Sequence, residues 1–216
     1  MTTSKHITWT AALLFLAVLT TAFQSIRAQA QSPDADVASP DAILRDPDAP
    51  ILGDANGDLT IVEWFDYQCP YCKKLKPDLL RAVREDGHIR LVLKDWPVFG
   101  PTSVHAAQVV LAAKYQDKYV QAHDALMAVN AKLTEDLLKG TLAQAGVDVS
   151  QAERDLAAHG NAINTLLARN NMQAEALGFQ GTPALIIGHF RVPGALDAAN
   201  LKLAIGDARA ALKRDK

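Results

Sequence analysis

Apolar and polar positions alternate along the chain in an order that predicts strand, helix, strand, a long helical block, a hairpin and a last helix. Leu59-Thr60-Ile61-Val62-Glu63-Trp64-Phe65 is almost continuously apolar and rich in β-formers, the pattern of a strand buried on both faces. Directly after it, Cys72, Leu75, Leu79 and Val83 recur at helical spacing, predicting a helix to about Asp86 with Pro70 in its first turn and a kink at Pro77. His88 to Lys94 predicts a second strand, ended by Trp96-Pro97. Residues 101–178 carry no strand signal. Val104, Ala107, Leu111 and Tyr115 predict one helical stripe, and His123, Leu126 and Asn130 a stripe on the next helix. Thr134 before Glu135-Asp136 predicts a further helix start, Ser150 to Glu153 reads as a capping box, and another helix is expected from Ala162 to Leu177. Ala184 to Ile187, the Gly188-His189 turn and Phe190 to Val192 predict a hairpin, followed by a helix from about Asp197 to Lys213.

The N-terminus stands apart from this alternation. Lys5 and His6 precede an apolar run from Ala11 to Phe23, and Ala28-Gln29-Ala30 offers small residues for cleavage, so residues 1–30 read as a secretory signal cut after Ala30. The competing reading is an uncleaved anchor over Trp9 to Ile26; three threonines and a glutamine within it count against that. Residues 31–50, rich in Pro, Asp and Ala, read as a flexible leader, and 51–216 as the folded domain. Residues 1–30 hold Lys5 and Arg27 and no acid, so the remainder carries 20 basic against 24 acidic residues, with no basic run of the kind nucleic acid requires.

Export gives meaning to the two cysteines, Cys69 and Cys72. A bridge closing so short a loop restricts the unfolded chain very little, so as a staple the pair is of small use. A zinc site needs four ligands where these supply two, and the six histidines form no ligand-like cluster. Redox chemistry remains. Thiol exchange needs a thiolate, and a free thiol near pKa 8.5 is mostly protonated at neutral pH. Cys69 at the mouth of a helix faces unpaired N–H groups and the positive end of the dipole, which stabilise the charge. Cys72, one turn in, is expected to be buried and to resolve, leaving Cys69 exposed to substrate. No cofactor beyond a Cys69–Cys72 disulfide is implied.

Two further features bear on the same place. Pro183, just ahead of a predicted strand, needs a reason to be there; a cis Thr182–Pro183 peptide beside the cysteines is one reading, a plain trans turn the other. Glu63 is an acid within an apolar strand, costly to bury unless paired, and Lys94 on the neighbouring strand is its expected partner. A proton relay beneath Cys72 and an edge-exposed ion pair both fit.

The run Glu63 to Lys73 with Cys69-Pro70-Tyr71-Cys72 at its centre, Pro77 behind it and Gly181-Thr182-Pro183 downstream resembles the DsbA-like thioredoxin-fold oxidoreductases over about residues 51–212, and most of all the suppressor-of-copper-sensitivity C subgroup. The resemblance implies an α/β thioredoxin fold with a helical insertion at about 101–178 and a periplasmic location. It also implies Cys69 as nucleophile, Cys72 as resolving thiol, Thr182-Pro183 as the cis-proline loop, and Glu63 with Lys94 as a buried charged pair. The strongest oxidases of the family have His where this chain has Tyr71, which implies milder oxidising power here. Cysteine-containing exported proteins are the implied substrates and a membrane-bound redox partner the implied means of resetting the site. The proline-broken leader lacks heptads, so a monomer is expected. Two rivals stand beside the oxidant reading: a reductase or isomerase using the same site, and a thiol-based copper-binding or chaperone module.

Overall fold

A computed structural model describes residues 37–214. The expected signal sequence, its expected cleavage point and residues 31–36 of the expected leader lie outside the described residues. The elements run α1 Pro40–Leu44, β1 Ile51–Gly53, β2 Leu59–Phe65, α2 Pro70–Asp86, β3 Ile89–Asp95, α3 Pro101–Ala112, a 3-10 turn Ala113–Gln116, α4 Tyr119–Met127, α5 Glu135–Gln144, α6 Val149–Ala176, β4 Ala184–Ile187, β5 Phe190–Val192 and α7 Ala198–Arg214. The five strands form one mixed sheet in the order β1-β3-β2-β4-β5, with β2 and β3 parallel through the α2 crossover and the other pairs antiparallel. The α/β class and the helical insertion between the second and third core strands are borne out.

The two central strands are buried along their whole length. Leu59, Ile61, Phe65, Leu91 and Leu93 face α2, which buries Cys72, Leu75, Leu79 and Val83, the same four positions that the spacing selects. Val62, Trp64 and Val92 face a second cluster with Ile43, Ala49, Ala174 and Phe179. Helix α2 runs unbroken through Pro77 and stops at Gly87, whose φ of 76° is the left-handed conformation that glycine adopts without strain.

Three expectations are corrected and one strand is added. The leader is not featureless up to Pro50: Ser39 caps α1 by accepting from the Ala42 N–H at 3.3 Å, Ile43 and Ala49 are buried, and the compact unit begins at Ala38. Ile51–Gly53 is a true edge strand, antiparallel to β3. Val104 in α3 and Tyr115 in the 3-10 turn after it do not lie on a buried stripe; both are exposed, whereas Ser103, Ala106, Ala107 and Val109 to Ala112 are buried. That helix packs on several neighbours, so its apolar residues leave no one-sided period to read. The two helices expected around 150–177 are one, capped by Asp148, not Ser150, through a 2.9 Å bond from the Gln151 N–H, and continuous through Gly160. Thr134 does cap α5, accepting from the Leu137 N–H at 3.2 Å.

Candidate active site

Register places the site. Trp64 near the end of β2 pairs with Ala184 at the start of β4, so the residues just before β4 meet the loop leaving β2. Those residues are Thr182 and Pro183, joined by a cis peptide, and the loop leads into Cys69, the N-cap of α2. The Cys69 Sγ accepts from the Cys72 N–H at 3.4 Å and donates to the Thr182 carbonyl at 3.2 Å. Pro70 occupies the first helical position, and Tyr71 is 64% exposed.

The two sulfurs sit in opposite environments. Cys69 is lowered to about 6: the Cys72 thiol is the largest cause, burial opposes it, and the backbone N–H groups of Cys72 and Tyr71 favour the thiolate. The Thr182 carbonyl accepts the thiol proton and favours the protonated form, whereas its buried hydroxyl has no hydrogen-bond partner. Burial pushes the Cys72 thiol far up, with Cys69 and Glu63 adding to it. Both cysteines carry free thiols. The expectation that Cys69 is exposed is corrected: the residue is 1% exposed. The two residues that follow it, Pro70 and Tyr71, are exposed, and its thiol is held by the Thr182 carbonyl.

Glu63 is buried on the α2 side of the sheet, and its Oε1 has no hydrogen-bond partner. Burial pushes it up to about 8, with the Lys76 charge opposing and Cys69 reinforcing the shift. Its expected partner is elsewhere. In the parallel register Glu63 lies opposite Leu93 and Trp64 opposite Lys94, so Glu63 and Lys94 point to opposite faces of the sheet. The Lys94 ammonium is fully buried against Asp46 Oδ2 at 2.5 Å, and Arg169 joins the same carboxylate at 2.8 Å. The edge-exposed pair is therefore absent, and the buried ion pair that does exist ties the α1 segment to the back of the sheet.

Several residues around the cysteines have roles that the sequence reading did not assign. Asp66 is buried and accepts four hydrogen bonds, from the Gln68 N–H (2.6 Å), the Ser103 hydroxyl (2.7 Å) and the N–H groups of Val98 (2.7 Å) and Phe99 (3.0 Å). It thereby rivets the loop after β3 to the turn before Cys69, whose N–H donates to the Asp66 carbonyl at 3.1 Å. Beyond it lies a buried polar cluster. The Tyr67 hydroxyl is 3.3 Å from His123 Nδ1, and the Tyr119 hydroxyl donates to Asp95 at 3.3 Å. Burial raises Asp95 to about 7 against the pull of the Tyr67 and Tyr119 hydroxyls, and lowers His123 to about 3, so that imidazole is neutral at physiological pH. No local signal marks these residues, because their partners are far away in sequence. Among the described residues no cluster of three or more His, Cys, Asp or Glu is placed to hold a metal ion.

A family model described as a DSBA-like thioredoxin domain matches residues 60–206. A thioredoxin-like oxidoreductase from Silicibacter pomeroyi is 37% identical, with a TM-score of 0.77 over 80% of this chain and 99% of that one. The catalytic domain of Proteus mirabilis ScsC is 27% identical, with a TM-score of 0.71 over 79% and 94%. A probable disulfide bond formation protein D from Bacillus cereus is 27% identical over 149 residues, 63% of this chain and 68% of that protein. Na(+)/H(+) antiporters, such as that of Salinispora arenicola at 27% identity over 163 residues, also match, but the chain spans only about a quarter of their length.

Proposed function

The chain belongs to the DSBA-like thioredoxin-domain family, and from that premise we propose that it is an exported thiol–disulfide oxidoreductase that oxidises cysteine-containing proteins through Cys69 and Cys72. The reading is carried by the asymmetry of the two sulfurs: Cys69, held at the helix N-cap, is ionised near neutral pH, and Cys72 is buried and kept protonated. A stable Cys69 thiolate favours the reduced form and so makes the disulfide an oxidant.

In the forward direction a substrate thiolate attacks Cys69 Sγ of the Cys69–Cys72 disulfide. The S–S bond breaks, its electron pair leaves on Cys72 Sγ, and that sulfur takes a proton. Glu63, neutral at pH 7 with its pKa near 8, is the donor. A second substrate thiolate attacks the substrate sulfur of the mixed disulfide and expels Cys69 as a thiolate. The substrate loses two electrons to the cysteine pair. A disulfide on a membrane-bound partner then reoxidises the pair, and the Glu63 carboxylate takes back the Cys72 proton.

Thr182 and Pro183 serve the substrate in this scheme. While Cys69 is a thiol, its proton occupies the Thr182 carbonyl. In the disulfide Cys69 carries no proton, so the carbonyl is free for an N–H of an extended substrate strand. Tyr71 adds no positive charge beside Cys69, in keeping with a milder oxidant than a His-bearing relative. The pattern of residues 1–30 supports export to the periplasm, and the proline-broken leader supports a monomer.

The test is a Cys72→Ala variant expressed in the periplasm. Trapped mixed disulfides between Cys69 and exported proteins are expected, and a clean absence of adducts overturns the proposal. The redox potential against glutathione separates directions: a potential well below that of the glutathione pair assigns the site to reduction or isomerisation instead.

A further inference from the structure

One face of α2 is left over by the chemistry. Cys72, Leu75, Leu79 and Val83 pack on the sheet. Lys73, Lys76, Pro77 and Leu80 follow at the next helical stripe and form one wall of a groove of about 930 Å³. The end of α4 and the connection 128–132 form the other wall, and Gln68 and Pro70, the chain neighbours of Cys69, line the groove as well.

The charge in this groove runs against the rest of the molecule. The chain carries a net −2, yet the walls hold Lys73, Lys74, Lys76 and Lys132 against a single carboxylate, Asp124. That carboxylate is already paired with Lys76 at 2.6 Å, and Lys73 Nζ donates to the Val129 carbonyl. Lys74 and Lys132 are exposed and have no carboxylate partner among the described residues. Lysines near the start of a helix gain nothing from the helix dipole, which favours acids there, so helix stability gives no reason for them. Leu80 and Met127 supply apolar surface within the groove, and Phe99, 51% exposed, stands at its rim.

We propose that this groove binds an acidic stretch with interspersed apolar side chains, carried by the protein that exchanges disulfides at Cys69. The inference rests on the thiol-exchange reading and adds a substrate class to it. Cations lining a cleft raise the encounter rate of an acidic partner, and the apolar surface holds the side chains between its charges. Because Gln68 and Pro70, on either side of Cys69 in the chain, line the groove, the acidic stretch and the reacting cysteine lie close together in the partner's chain.

The experiment uses the reduced mature protein and two short fluorescein-labelled peptides without cysteine, one alternating Glu with Leu and Phe, the other with Lys in place of each Glu. By anisotropy at low salt the Glu peptide is expected to bind about tenfold tighter or more, and the gap to close near ~1 M salt, where the Debye length falls to about 3 Å. The double variant Lys74→Glu, Lys132→Glu reverses the preference, and Lys202→Glu, the same kind of charge change on the exposed side of α7, leaves it intact. Equal binding of the two peptides, or a preference indifferent to the double variant, overturns the proposal. So does sedimentation showing that a second copy of the chain occupies this face. Exchange of the unmodified protein with dithiothreitol, which is uncharged, reports on Cys69 alone. Exchange without a peptide preference sinks the groove and spares the enzyme; a peptide preference without exchange does the reverse.

Discussion

Glu63 and Lys94 stand on adjacent strands but on opposite faces of the sheet, one register position apart. The offset gives the two groups different work. Glu63 is left buried beneath the cysteines with no ion pair among the described residues, and Lys94 is spent on holding the α1 segment through Asp46.

For Glu63 the consequence is a stability slope. Its folded pKa of about 8 lies above the ordinary carboxylate value, so between about pH 4.5 and 8 the folded state keeps a proton that the unfolded chain has released. Stability therefore falls as pH rises through that window, by about 1.4 kcal/mol per unit for this one group. Glu63→Gln removes the slope and is expected to stabilise the reduced protein by about 3 kcal/mol at pH 7, measured by urea unfolding against the parent in the same redox state. The same change slows proton delivery to Cys72 and is expected to lower the exchange rate on the order of 10²-fold. A variant no more stable than the parent at pH 7 shows that Glu63 is ionised and paired after all.

Asp46 has the opposite sign. Burial acts to raise it, but the hydrogen bond and charge of Lys94, with the Asp48 N–H and the Arg169 charge, together outweigh burial and hold it below its ordinary value. Its contribution is complete above about pH 4 and is lost as pH falls through the depressed folded pKa. Asp46→Ala strands the Lys94 ammonium in the interior and is expected to cost about 3–5 kcal/mol, read as a lowered urea midpoint with an unchanged m-value. Lys94→Met is expected to cost less, because Arg169 still reaches the Asp46 carboxylate at 2.8 Å.

How far the sequence carries the reader depends on the range of each interaction. The α2 stripe is legible because Cys72, Leu75, Leu79 and Val83 bury one side only, and the caps at Cys69 and Thr134 because they act over three residues. Helix α1 and strand β1 are too short for any period to show, and both are held by tertiary contacts, Ile43 in the second core cluster and Ile51 opposite Val92. Pairing Lys94 with Asp46 joins residues 48 apart in sequence, and Arg169 reaches the same carboxylate from 123 residues away. At the site, Cys69, Cys72 and the Thr182-Pro183 turn are chemically conspicuous. Asp66 is not, because its four donors come from loop backbone and a helix that no local pattern ties to it.

Asp66 can be tested through that loss of pattern. All four of its bonds are accepted by carboxylate oxygens, and an amide must turn its NH₂ toward one pair of donors. Asp66→Asn is expected to cost about 2–4 kcal/mol by leaving buried N–H groups unpaired. Hydrogen exchange at Val98 and Phe99 should rise with it. Unchanged protection at both positions would mean that the loop is held by something other than Asp66.

The thiolate itself gives the most direct measurement. Ultraviolet thiolate absorbance of the reduced protein is expected to titrate one equivalent with a midpoint near 6, Cys72 remaining protonated well into the alkaline range. Because the Cys72 thiol is the largest cause of the lowering, Cys72→Ala should shift that midpoint upward. The sign for stability follows: a folded pKa below the unfolded value means that the reduced protein gains stability as pH rises from about 6 toward the ordinary thiol range, and loses it on acidification. Oxidation removes this contribution, so the gap between reduced and oxidised unfolding midpoints should narrow as pH falls toward 6. A midpoint near that of a free thiol, about 8.5, would leave no ionised sulfur at neutral pH and no driving force for oxidation at this site.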